Sequence, residues 1–220
     1  MKNLFLISAL LFSNFIFAQT PIQFGVRAGL SAAGMRGNAV DNLSGLLDFA
    51  KDKITTSDRT GFYAGVFAGI PISKNISIEP GLLYTQKGYL LNGELGIKGV
   101  EFLGANARMR LQNDYLDIPL LLKVNAGGLQ IFGGPQFSYL LSSNLRTTAS
   151  VLGFNLLNKN IDAINQFNRT DVALTGGIGY NLTQKINNNA AYDYGLQKVD
   201  KNQNVAAYNR GFKLGLSVGF

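Results

Sequence analysis

Histidine, cysteine and tryptophan are absent from the 220 residues, and proline occurs only 5 times. Without cysteine there can be no disulfide, so stability must come from packing and backbone pairing. Without imidazole or thiol, Ser–His and Cys–His nucleophile activation are excluded, as are imidazole and thiolate metal sites. No metal or other cofactor is expected. The chain is also poor in acid, with 13 Asp and Glu against 20 Lys and Arg, yet the bases are scattered singly. No basic block reads as a nucleic-acid patch, so no nucleic-acid partner is expected. A diffuse positive balance suits solubility or contact with anionic lipid headgroups.

Long apolar runs are missing too, with one exception at the start. Leu4 to Phe17 follows Met1-Lys2-Asn3 and leads through Ala18 into the polar Gln19-Thr20-Pro21. This is the layout of a secretory signal peptide cleaved near Ala18, and it is too short for a spanning helix. Residues 1–18 are therefore expected to be a signal peptide, and residues 19–220 a single domain. No later run approaches the roughly 20 apolar residues that a membrane helix needs.

What the sequence does contain is glycine, phenylalanine and tyrosine, arranged in short alternating runs. The C-terminal stretch NRGFKLGLSVGF is the clearest. Phe212, Leu214, Leu216, Val218 and Phe220 alternate with Gly211, Lys213, Gly215, Ser217 and Gly219. A period of two puts the two sets on opposite faces of a strand. Seven earlier runs repeat the pattern, through Phe24–Leu30, Phe62–Ile70, Ile76–Tyr84, Leu116–Val124, Leu129–Leu141, Val172–Tyr180 and, most weakly, Tyr192–Leu196. Pro119 in mid-run predicts a local break in the fourth. Ser142 falls on the small, polar face of the fifth, opposite Leu141.

Eight runs alternate with short and long connectors. The turns near residues 71–75, 125–128 and 183–188 are tight, whereas the other connectors, including one across residues 145–168, are long. In the first long connector Leu43, Leu46, Leu47 and Ala50 are spaced for a short amphipathic helix. An even number of strands with alternating connectors predicts an all-β fold: an eight-stranded antiparallel up-and-down transmembrane β-barrel, with short periplasmic turns and long extracellular loops.

The composition of the two faces decides which one meets water. A soluble, lipocalin-like barrel would turn its apolar set inward and crowd its outer face with charge. Here the second set is glycine, Ser, Thr, Gln and Asn with a few charges, which suits a narrow lumen. The first set is almost wholly Leu, Ile, Val, Phe and Ala. Tyr84, Tyr139, Tyr180, Tyr192 and Tyr194 lie near its run ends, where tyrosine fits a headgroup boundary. The apolar set should face lipid, and the chain should lie in the outer membrane as a monomer.

Eight charged residues fall on the predicted lumen face: Arg27, Glu79, Lys87, Asp117, Lys123, Asp171, Asp193 and Lys213. Glu79 with Lys123, and Lys87 with Asp117, are expected at matching heights on neighbouring strands. Arg27, Lys213 and Asp193 could meet across three others. The set reads either as paired charges plugging the lumen, the favoured alternative because unpaired buried charge is costly, or as an ion path or binding site. A catalytic carboxylate pair would have to come from Asp114, Asp117 or Asp171; catalysis is not expected, and no catalytic residue is assigned.

The stretches FGVRAGLS, GFYAGVFAGIPI, SIEPGLLYTQKG, YLDIPLLLKV and GFKLGLSVGF resemble those of the PorT-like outer-membrane β-barrel proteins of Bacteroidota, Gram-negative bacteria. The resemblance implies assembly by the barrel-insertion machinery, which would read a C-terminal strand carrying Phe212 and ending in Phe220. Expected partners are outer-membrane lipid and lipopolysaccharide, with a protein partner possible through the loops. The role expected is structural or one of surface interaction. A narrow pore, or a conduit for small solutes or lipid, is the alternative, and the resemblance leaves open an accessory part in secretion.

Overall fold

The computed structural model describes residues 21–38, 54–95, 105–151, 154–202 and 206–220. The proposed signal peptide and the helix expected around Leu43–Ala50 lie outside the described residues.

Among the described residues nine strands run antiparallel: β1 (Gln23–Arg36), β2 (Ile54–Pro71), β3 (Ile76–Leu95), β4 (Ala105–Ala126), β5 (Leu129–Val151), β6 (Phe154–Asp162), β7 (Thr170–Asn181), β8 (Ile186–Lys198) and β9 (Tyr208–Gly219). Eight of them close a ring in which each strand pairs with the next, β5 passing directly to β7 and β9 returning to β1. The closing seam runs from Gly25↔Gly219 to Arg36↔Tyr208. The backbone N–H of Phe220 then donates to the Phe24 carbonyl at 2.9 Å. Closure leaves no open edge in the ring, which a strand needs if it is to sit in hydrocarbon.

β6 was not foreseen. The connector expected over residues 145–168 is instead the upper part of β5 returning as β6, paired from Asn144↔Asp162 to Val151↔Phe154, followed by a short 3-10 turn at Ile164–Gln166. A stretch such as RTTASV is weakly apolar, so its alternation is hard to see in a sequence. The turn expected over residues 183–188 is also shorter, because β8 starts at Ile186. The Asn187–Asn189 run looks turn-forming, since asparagine is depleted in strands, and the paired ladder overrides that preference.

β4 and β5 are 22 and 23 residues long, about twice the 9–11 residues needed to cross a bilayer. The outward face of β4 marks where the crossing ends. Leu116, Ile118, Leu120, Leu122 and Val124 give way to Asp114, Gln112, Arg110 and Arg108. A belt of exposed apolar side chains continues round the ring at the same level, including Val66, Leu82, Ile131, Leu174, Ile178 and Leu214. Leu120 is 50 % exposed, Ile178 56 % and Leu214 64 %, so the greasy set faces outward on every side. At the loop-end border of the belt, Tyr84 and Tyr139 flank Leu116 in register, and the Tyr192 and Phe212 rings pack at 4.6 Å.

Two irregularities have visible causes. Between Pro80↔Leu120 and Leu83↔Asp117 the β3–β4 ladder skips two pairs beside Pro119, which has no N–H to give. Between Asp114 and Tyr115 the β4–β5 register shifts, leaving Leu141 unpaired. This bulge reverses the alternation. Leu140 is still inward in the regular phase of Gln136 and Ser138; beyond Leu141, Ser142 pairs with outward-facing Asp114, and Ser143 takes the lumen position that the period assigned to Ser142.

Candidate functional site: the filled lumen

Alternation along the ring strands projects all eight expected charges into the barrel, and each of them is buried. They lie in two groups. Near the turn end, Glu79 holds two cations: Arg27 Nη2 is 2.6 Å from Oε1, and Lys123 Nζ is 2.5 Å from Oε2. Arg27 Nε also donates to Ser217 Oγ at 2.7 Å. Aromatic faces cover this group. The Arg27 guanidinium lies 4.9 Å from the Phe67 centroid, and Lys123 sits 5.7 Å from both Phe67 and Phe132.

Nearer the loop end, Asp117 is wholly buried between two lysines. Lys87 Nζ reaches Oδ1 at 2.9 Å and Lys213 Nζ reaches Oδ2 at 3.1 Å. Lys213 also contacts Asp193 at 2.7 Å, and Thr175 Oγ1 donates to the other Asp193 oxygen. Arg27 does not join this group: its partner is Glu79, reached past β2 from β1 to β3. Asp171 is held by Asn209 Nδ2 at 2.7 Å, and the same amide contacts the Tyr115 hydroxyl.

Neutral and apolar residues fill the remaining space. Tyr63, Leu83, Leu121, Gln136, Asn189 and Tyr115 are buried among the charges. Gln136 and Tyr115 fall on the polar phase of their runs, so the alternation accounts for their inward position. Sequence reasoning missed Leu83 and Leu121, whose apolar character disguises the inward phase, and Asn189, which was assigned next to a turn. Gly215 makes room for Tyr63: a Cβ there would overlap the Tyr63 hydroxyl and the Ala28 carbonyl oxygen. Voids described at mid-barrel and toward the loop end measure about 20 and 10 Å³, each about the size of one water.

Asp114 and Asp117 point to opposite faces of β4, so they cannot converge on a substrate. Phe212, on the outer face of β9, and Phe220, just beyond its end, are both exposed.

A family model described as an outer membrane protein beta-barrel domain matches residues 17–201. No curated protein matches the chain. Among solved structures the chain is similar to Ail, the attachment invasion locus protein of Yersinia pestis, at 11 % identity, covering 91 % of this chain and 100 % of Ail with a TM-score of 0.46. It is similar to OprG of Pseudomonas aeruginosa at 13 % identity, covering 90 % and 95 % with a TM-score of 0.39. It is also similar to the outer membrane protease OmpT of Escherichia coli at 10 % identity, covering 94 % and 99 % with a TM-score of 0.35. No residue role is carried over from any of them.

Proposed function

The chain belongs to the outer membrane protein beta-barrel domain family and is located in the outer membrane; from that premise we propose that it is a plugged, non-catalytic barrel, acting as a structural or surface-interaction protein through its long connectors. The observation that carries this reading is the filled lumen: among the described residues, ion-paired charges and aromatic rings occupy the interior, and the voids described at mid-barrel and toward the loop end are water-sized. Short turns would face the periplasm and the long connectors the cell exterior, where lipopolysaccharide and any protein partner would be met. The exposed Phe212 of β9 and the seam closed by Phe220 suit assembly by barrel-insertion machinery. The stretches that resemble PorT-like proteins support placing the chain near that branch, as a monomer.

The lumen carboxylates are engaged by partners within the barrel. The Asp117 and Asp193 carboxylates are taken up by lysines, Glu79 is shared by two cations, and Asp114 faces away from Asp117. The experiment that separates a plug from a narrow pore is planar-bilayer conductance of the purified protein. The expected trace shows no steady open-channel current. Sustained unitary steps would contradict the plug and favour the conduit.

A further inference from the structure

The turn end of the barrel opens into a vestibule of about 390 Å³. Its floor is the group of Arg27, Glu79 and Lys123, with Glu79, Lys123 and Ser217 lining it directly. Two cations there share one carboxylate, which leaves one positive charge without a partner of opposite sign in that group. The acids that could offset it, Asp117, Asp193 and Asp171, belong to the other group. Tyr63, Leu121 and Leu83 fill space among them. In a medium of low polarity such an excess is costly, and an anion in the vestibule would be the nearest remedy.

The wall adds a second requirement. Asn125, Gln130 and Asn187 line the vestibule, and the side-chain oxygen of each is buried with no hydrogen-bond partner. In the arrangement the structure shows, the Gln130 and Asn187 nitrogens both donate to Asn181 Oδ1, at 3.0 and 3.2 Å. Their free atoms are therefore acceptors, and a ligand must bring donors to them. Lys74 and Lys185, exposed in the turns at the rim, would draw an anion inward.

We propose that the vestibule is a binding site for a small carboxylate that also carries N–H donors, the chemistry of a peptide C-terminus of one or two residues. The carboxylate lies against Lys123 at the floor, where Arg27 adds its charge from behind the lining, and the peptide N–H groups face the Asn125, Gln130 and Asn187 oxygens. The volume is at the small end of ligand sites. The site does not require the lumen to open, so it stands whether or not bilayer currents are seen.

The test uses the full mature barrel in detergent micelles, with acetyl-glycyl-glycine as probe. Its C-terminal amide, acetate and inorganic phosphate serve as comparisons, and backbone NMR shifts are the readout. Acetyl-glycyl-glycine should give saturable shifts at Lys185, Asn187 and Gln130, with the amide and acetate each at least about tenfold weaker. The Lys74→Gln/Lys185→Gln double variant, altered only in exposed turns, should keep the barrel spectrum and bind several-fold more weakly. No saturable shift, equal binding of the amide, or phosphate binding as tightly as the peptide would each overturn the assignment.

Discussion

Replacing Asp117 with asparagine is expected to destabilise the folded barrel by about 3–5 kcal/mol, the range seen when one member of a buried ion pair is removed. Asp117 is wholly buried and accepts from Lys87 at 2.9 Å and Lys213 at 3.1 Å. Asparagine keeps the shape and one acceptor but removes the charge facing Lys87, whose other contacts are Ser138 at 3.4 Å and the Tyr115 ring face. Lys213 retains Asp193, so the damage concentrates on Lys87. Adding Lys87→Met to Asp117→Asn should therefore recover part of the loss, since the orphaned ammonium goes with it. The measurement is urea unfolding in lipid vesicles followed by far-ultraviolet circular dichroism, which suits a chain without tryptophan. An unchanged midpoint for Asp117→Asn would mean that water reaches the Asp117 level.

The second large effect belongs to the outer face. Leu120→Arg should destabilise the inserted barrel by about 2–4 kcal/mol, because its side chain sits mid-belt on β4 and faces hydrocarbon. Gln112→Arg, on the same face of the same strand but above the belt, should cost only about 0–1 kcal/mol. The contrast between the two sites matters more than either value. If both changes were equally mild, the apolar belt would not be at bilayer depth.

The ring was legible in the sequence because alternation and connector length are both properties of single strands and their neighbours. Lysines and carboxylates stand out on a face otherwise made of glycine and small polar residues, so the eight charges buried among the described residues could be named before their partners were known. The pairing itself was only partly readable. Glu79 with Lys123 and Lys87 with Asp117 join adjacent strands, where height follows from counting residues. Arg27 with Glu79 joins β1 to β3 past β2, and no count along one hairpin reports that distance. Ser142 was misplaced because the bulge at Leu141 resets the phase, and nothing in YLLSSN marks it. β6 and the start of β8 escaped because asparagine and threonine carry little pattern, while backbone pairing with a formed neighbour is enough to make them strands. The vestibule was invisible for a different reason. Its wall is built from the ends of several strands, and its acceptors emerge only once Gln130 and Asn187 are both turned toward Asn181.

The account depends on which side of the ring the apolar residues occupy, and the cysteine-free chain makes that directly measurable. Single cysteines replacing Leu120, Ile178 and Leu214 would each carry a fluorophore, in vesicles containing lipids with a nitroxide in the acyl chain. The expected result is strong quenching by the mid-chain nitroxide at all three positions, with little quenching by an aqueous ion. Fluorophores untouched by the lipid nitroxide, at sites where the barrel still folds, would contradict it.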